Sequence, residues 1–326
     1  MPARLAPPSL TLAALASLAA VLLAGGASRE TLAVGAPAPP QVTPAAVRDL
    51  PLIADYRYSL SAEAWPILWA RKDSIGGAML RHRAGPDGTV VWEVAGGTDP
   101  TRAPLRFNYW LYVRERVSPT ERTVLSVTRD TDDRTIDEAR KRGGREASGA
   151  TTTCKSMRST FDHLTATTIV ERLTVARSLT FRDLDQLPAL LQRAPASTPA
   201  SRVSNLPAGT QGGLPMALVG LMADTAAWYR AGQPLDSRPD GRSRPYLHEG
   251  KVYDITLERS QPRPRTLVPS IGTADLIKGR FVVRNRANGE RSAFDLEFGA
   301  SGRLACIPVR IVVRPRWWLK LELALE

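Results

Sequence analysis

Residues 280–298 read RFVVRNRANGERSAFDLEF, and their reading decides the fold. Phe294, Leu296 and Phe298 face one way while Asp295 and Glu297 face the other, the period of a strand with one buried side. Before them, Arg280 to Ala287 is a second β-rich run, and Asn288-Gly289 between the two is the strongest short hairpin signal. Working outward, Tyr253, Ile255 and Leu257 alternate with Asp254, Thr256 and Glu258. Downstream, Gly299-Ala300-Ser301-Gly302 turns the chain into Leu304 to Val313, where Pro308 predicts an edge or a bulge. Leu319, Leu321, Leu323 and Leu325 then alternate with Lys320, Glu322 and Glu326. Consecutive antiparallel strands with one apolar face must cover something.

The same period occurs near the other end. Tyr56, Tyr58 and Leu60 alternate with Arg57 and Ser59. Ala78 to Arg83 and Thr89 to Val94 flank the turn Gly85-Pro86-Asp87-Gly88 and predict a hairpin. Arg122 to Arg129 is a further strand. Phe107, Tyr109, Leu111 and Val113 alternate with Trp110 and Tyr112, and bulky residues on both faces predict burial on both. Between these β-rich ends the period changes. Thr135-Ile136-Asp137-Glu138 is a capping box that opens a short charged helix before Gly143-Gly144. Phe161 to Arg177 reads as helix or, with its Thr and Val content, as strand. Leu184, Leu187, Leu190 and Leu191 predict an amphipathic helix interrupted at Pro188, residues 195–215 a loop, and Leu214 to Arg230 an apolar helix.

The expected fold is therefore α+β and mainly β: a curved antiparallel sheet, a half-barrel or open barrel, with helices covering its concave face. One domain is expected over residues 49–326, carrying a helical insertion at about 131–232. If helix and sheet do not fill the space between them, an acyl-sized pocket results; if they do, the interior is ordinary core. Trp92, Trp110, Tyr112, Leu218, Met222, Tyr253 and Phe281 are the residues expected to line such a pocket.

The first residues read as an address. Arg4 precedes an apolar run from Leu10 to Leu23, too short to span a bilayer, and Gly25 and Ala27 suit a signal-peptidase site. Residues 1–27 are expected to be a cleaved signal peptide and 28–48 a Pro/Ala-rich linker. No Cys follows the apolar run, so the expected location is the periplasm without a lipid anchor. In an oxidising compartment Cys154 and Cys306 could pair or remain two thiols; both readings stay open.

The chain has 326 residues, 44 of them Lys or Arg against 32 Asp or Glu, for a formal charge of +12. With 43% apolar and 23% charged residues it is a globular chain, which excludes wholesale disorder. Only six basic residues are Lys, and the Arg residues are dispersed, the pattern of a solvated basic surface as much as of a polyanion binder. Trp317-Trp318 among Arg314, Arg316 and Lys320, and Trp65 and Trp69 beside Arg71 and Lys72, suit either a membrane interface or a core. Asp130, Asp132, Asp133, Asp137 and Glu138 form an acidic group without the glycine of a calcium loop, and fit a solvated loop better. His82, His163 and His248 have no metal-ligand spacing, and no phosphate-cradling glycine loop or nucleophile motif occurs. No metal, cofactor or catalytic residue is expected.

Three stretches carry a resemblance: Gly250-Lys251-Val252-Tyr253-Asp254-Ile255-Thr256-Leu257, then Phe294-Asp295-Leu296-Glu297-Phe298, then Arg303-Leu304-Ala305-Cys306-Ile307-Pro308-Val309-Arg310-Ile311 before a Trp and a closing strand. With the helix around Asp224-Thr225-Ala226-Ala227-Trp228-Tyr229-Arg230, this resembles the C-terminal half of DUF3108, exported bacterial proteins of unknown function. The resemblance covers about residues 215–326. It implies a half-barrel like those of the LolA and LolB lipoprotein carriers and supplies no catalytic residues. The expected function is a non-enzymatic envelope protein that binds a lipid or other apolar ligand. The alternatives are a structural or assembly factor that contacts cell-wall or membrane polyanions through its basic surface, and a hydrolase whose residues meet only in space. The expected partners are a lipid or another envelope protein, with peripheral membrane contact, no nucleic acid, and a monomeric state.

Overall fold

The computed structural model describes residues 50–64, 70–103, 108–129, 151–183, 185–235, 243–268, 271–316 and 319–326. The signal-peptide and linker expectations, the capping-box helix, the acidic group and both Trp pairs lie outside the described residues. Eight strands come first: β1 (Leu52–Ala64), β2 (Ala70–Ala84), β3 (Val90–Thr98), β4 (Trp110–Val117), β5 (Arg122–Arg129), β6 (Thr152–Asp162), β7 (Thr165–Val175) and β8 (Ala200–Asn205). Helix α1 (Leu187–Leu191) interrupts them after β7, and α2 (Leu214–Arg230) follows β8. Six more strands follow, making fourteen among the described residues: β9 (Ser243–His248), β10 (Lys251–Val268), β11 (Gly272–Asn285), β12 (Arg291–Gly299), β13 (Pro308–Arg316) and β14 (Leu319–Leu325).

All fourteen belong to one antiparallel sheet ordered β8-β7-β6-β5-β4-β3-β2-β1-β14-β13-β12-β11-β10-β9. Within β1–β8 and within β9–β14 consecutive strands pair, and the two meanders join where β1 meets β14, from Tyr58 opposite Leu325 to Ala64 opposite Leu319. The β-rich ends thus form one layer. The middle of the chain, expected as a helical insertion at 131–232, instead extends that layer: β6 and β7 pair over Thr152–Asp162 and Thr165–Val175, and β8 adds Ala200–Asn205. The Thr and Val side chains of 161–177 suit the strand, because branched Cβ groups pack on a pleated surface and crowd a helical turn. Pro188 does not interrupt a helix; α1 begins at Leu187 and takes Pro188 in its first turn, where no N–H is needed.

The Asn288-Gly289 hairpin forms with a wider turn than a two-residue loop. Gly289 alone is left-handed, and Arg284 pairs with Arg291. Asn285 Oδ1 accepts from Ala287 N–H (2.9 Å) and Asn288 Oδ1 from Glu290 N–H (3.0 Å), side-chain bonds that favour the longer loop. The tight two-residue turn lies instead between β9 and β10, where Glu249 and Gly250 have φ of 52° and 71° and His248 pairs with Lys251.

The sheet curls until its two ends approach each other, but β8 and β9 do not pair. Side chains and a loop fill the seam. Leu247 N–H donates to Gly212 O (2.8 Å), Ser204 Oγ to Gly250 O (2.6 Å), and Lys155 Nζ lies 3.5 Å from Glu249 Oε2. Ala166, Leu206 and Leu247 form a small apolar cluster there. Sharp curvature needs places without side chains: a Cβ on Gly76 of β2 would sit 2.1 Å from Gly97 O of β3.

The main core gathers Leu60, Leu111, Val113, Ile255, Leu257, Phe281, Phe294, Leu296, Leu321 and Leu323 from both meanders, with Leu214, Leu218, Leu221 and Met222 of α2. On the opposite side of β2–β7, Met79, Ala95, Trp110, Tyr112, Val127 and Cys154 form a second cluster, against Leu179 and Leu187 of the segment containing α1. The outward face of β10–β14 is solvated, and charges are stitched across it. Arg263, Glu297, Arg310, Glu322, Lys320 and Glu63 follow one another at 2.8, 3.8, 2.9, 3.1 and 3.0 Å.

Candidate functional site

An apolar crevice lies between α2 and the sheet. Leu214, Leu218, Val219 and Met222 line one side; Tyr58, Leu80, Trp92, Val94, Ile311 and Leu323 line the other. The sequence places these residues by period alone: Leu214, Leu218 and Met222 recur every four residues on the helix, and Leu80, Trp92 and Ile311 sit at inward strand positions. The lining offers almost no polar atom. Tyr58 Oη donates to Pro308 O (2.9 Å), and burial holds the phenol far above its ordinary pKa, so it stays neutral. Trp92 stacks on His82 with ring centroids 4.3 Å apart, and burial lowers the pKa of that imidazole. The crevice measures about 70 Å³, room for a few carbons.

One carboxylate positions the helix. Glu115 on β4 is fully buried, and its oxygens accept from Gly213 N–H (2.7 Å) and Met216 N–H (3.0 Å) at the start of α2. Gly213, the residue before the helix, has no side chain to cap it, so the cap comes from a strand about 100 residues earlier in the chain. A Cβ on Gly212 would meet Glu115 Oε1 at 2.0 Å, so glycine is needed for the approach. Burial raises the Glu115 pKa to about 7, against the two backbone donors and Arg122, which lower it.

The seven expected pocket residues divide among three places. Trp92, Leu218 and Met222 line the crevice together. Tyr253 and Phe281 belong to the same core but pack elsewhere in it, Tyr253 on Tyr246 (5.5 Å) and Phe281 on Phe294 (5.4 Å). Trp110 and Tyr112 lie on the opposite side of the sheet. Trp110 Nε1–H donates to Leu179 O (3.2 Å) and Tyr112 Oη to Glu93 Oε1 (2.8 Å). Strand β4 is buried on both faces, with Leu111 and Val113 turned toward α2 and the aromatic pair turned away. Cys154 packs with that outer pair and Cys306 against the main core, so the two belong to different clusters and no disulfide joins them in this structure. Sequence reading missed Tyr58, Leu80, Ile311 and Glu115 as site residues; the first three show only as inward strand positions, and a Glu on a strand gives no sign of the helix it caps.

Other polar groups pair with one another in two places. A hollow of about 350 Å³ on the outer side of β1–β3 is lined by Arg57, Asp99, Arg182 and Asp185, which pair as Arg182–Asp99 (2.6 Å) and Arg57–Asp185 (3.5 Å). At the seam, burial lowers the His248 pKa although Glu249, 3.7 Å away, works to raise it. His163 is solvent-exposed beside Asp162. Among the described residues no group of three His, Cys, Asp or Glu side chains could hold a metal, and no helix is long and apolar enough to cross a membrane. The crevice therefore offers hydrocarbon contact, and its neighbouring carboxylate holds a helix.

No family model matches the chain, and no curated protein does. The DUF3108 resemblance accordingly rests on its motifs. A solved structure similar to this chain is a β-barrel-like protein of the domain of unknown function DUF1849 from Brucella abortus. The likeness covers 83% of this chain and 95% of that one, at 9% identity and a TM-score of 0.35.

Proposed function

We propose that this chain is a non-enzymatic exported envelope protein, with α2 laid across the concave face of its curved sheet, that binds the apolar end of a lipid or similar amphipathic molecule in the crevice. The observation that carries the reading is the lining: Leu80, Trp92, Leu218, Met222, Ile311 and Leu323 face one opening, with the Tyr58 hydroxyl satisfied by Pro308 O. Such a surface recognises hydrocarbon by area and has no group that selects a polar substrate. At about 70 Å³ it accepts a chain end at rest, and a longer acyl chain enters as α2 moves outward about the end held by Glu115. The signal-like residues 1–27 and the DUF3108-like motifs support export and an envelope role.

Native mass spectrometry of the protein purified from cell envelopes, with titration of a fluorescent fatty acid, tests the proposal. Expected are a copurifying lipid, saturable probe binding, and loss of binding on filling the crevice with Leu218→Trp. Absence of lipid together with equal probe binding by wild type and Leu218→Trp overturns it.

A further inference from the structure

The charge stitching on the outward face is interrupted in β10. In β10 the register shifts between Leu257 and Arg259: Leu257 pairs with Phe281, Arg259 with Arg280, and Glu258 is the extra residue. Tyr253, Ile255 and Leu257 point to the core, so unbroken alternation would send position 259 inward as well. The bulge reverses the phase and re-aims Arg259 to the outside, where it is exposed. There it stands directly opposite Arg280, with Gln261 opposite Lys278 in the next register. Directly opposed residues have Cβ atoms roughly 5 Å apart, and like charges so placed repel.

These residues, with Ser260 and Asp295, surround a hollow of about 240 Å³. Arg280 reaches Glu258 at 3.5 Å and Asp295 at 3.6 Å, and Asp295 is shared with Arg314 at 3.4 Å. Arg259 and Lys278 have no side-chain partner among the described residues, although Lys278 stands opposite Glu297. Glu297 is already engaged by Arg263 and Arg310. The hollow is lined by three cations and one carboxylate, and even with Glu258 counted against Arg280 the cations stay in excess. Ser260 and Gln261 add neutral donors to the same rim. A neighbouring row on this face is neutralised pair by pair, whereas here a bulge presents a cation to another cation.

We propose that the β10 bulge builds an oxyanion site for a phosphate group, carried by a lipid headgroup or a free phosphate ester, on the side of the sheet opposite α2. Arg259 and Lys278 bind the oxyanion, and its charge relieves the repulsion between Arg259 and Arg280. Hydrogen bonds from guanidinium and ammonium groups to phosphate oxygens are charge-assisted and roughly twice as strong as neutral ones. The site does not depend on the crevice and stands if no lipid enters there.

The test uses the full chain with inorganic phosphate, followed by titration calorimetry, and with phosphatidylglycerol or phosphatidylcholine vesicles, followed by sedimentation. Phosphate is expected to bind wild type and to weaken about tenfold or more in Arg259→Gln/Lys278→Gln, while Lys72→Gln/Arg193→Gln, which removes the same charge elsewhere, stays within about twofold. Asp295→Asn is expected to tighten binding. Sedimentation with phosphatidylglycerol but not phosphatidylcholine vesicles, competed by phosphate, assigns the headgroup; phosphate binding without vesicle binding assigns the free ester. Equal loss in the two double variants, or no binding of phosphate and of phosphatidylglycerol vesicles by folded wild type, overturns the proposal.

Discussion

Removing the charge of Glu115 is expected to change how stability depends on pH. The group has a pKa of about 7 in the folded chain against an ordinary 4.5, because burial opposes ionisation more than Gly213 N–H, Met216 N–H and Arg122 favour it. The folded chain therefore holds this proton more tightly than the unfolded chain. Its contribution is fully present below about pH 4.5 and is lost as pH rises toward about 7. A difference of roughly 2.5 between the two values, at about 1.4 kcal/mol each, amounts to about 3 kcal/mol. Urea unfolding at pH 5 and pH 8, followed by tryptophan fluorescence, measures it. Part of this is already lost at pH 5, so wild type should lose about 2.5 kcal/mol more than Glu115→Gln between those pH values. Glutamine keeps the acceptor for Gly213 N–H and sets an amide donor against Met216 N–H, so the variant is also expected to be weaker at pH 5, by about 1–3 kcal/mol. Parallel pH profiles for the two proteins would refute the argument that buried ionisation of Glu115 governs the docking of α2.

Three further outcomes follow from the geometry. Gly76→Ala places a Cβ 2.1 Å from Gly97 O, so it should destabilise by about 3 kcal/mol or more and lower the midpoint of thermal unfolding. Lys155→Met removes the partner 3.5 Å from Glu249 across the seam; amide exchange should quicken in β8 and β9 while β1 and β14 keep their protection. Glu322 is held at a pKa of about 2, first by its hydrogen bonds from Arg310 and, against burial, also by Lys320. Its contribution is present above about pH 4.5 and is lost as pH falls toward 2, so Glu322→Gln should cost about 1–2 kcal/mol at pH 7 and nothing at pH 2 in denaturant titrations.

The alternation of Phe294, Leu296 and Phe298, and of Leu319 to Leu325, was enough to assign strands, faces and the joining of the two ends. The apolar run Leu214 to Arg230 was enough for α2. Residues 161–177 were ambiguous because short apolar runs without a clean period fit both helix and strand, and only the pairing of β7 with β6 and β8 decides between them. Trp110 and Tyr112 signalled burial on both faces, but a two-residue period cannot say which face meets α2. That choice depends on the segment 176–194, whose packing is tertiary. Glu115, the β10 bulge and the Glu249-Gly250 turn escaped for a common reason. Each depends on a partner far along the chain, or on one inserted residue, and neither alters the hydropathy pattern.

The pairing of β1 with β14 also has a consequence in time. Tyr58 meets Leu325 after almost everything between them has been synthesised, whereas every other adjacent pair closes a shorter stretch of chain. Hairpins such as β2–β3 and β11–β12 can form as soon as they emerge, leaving two half-sheets with raw edges at β1 and β13. The last seven strand residues, Leu319 to Leu325, act as the zip between them. Until they arrive both half-sheets offer unpaired backbone to any passing strand, so an interruption of synthesis just before Leu319 yields two sticky fragments on one thread, not a slightly smaller protein.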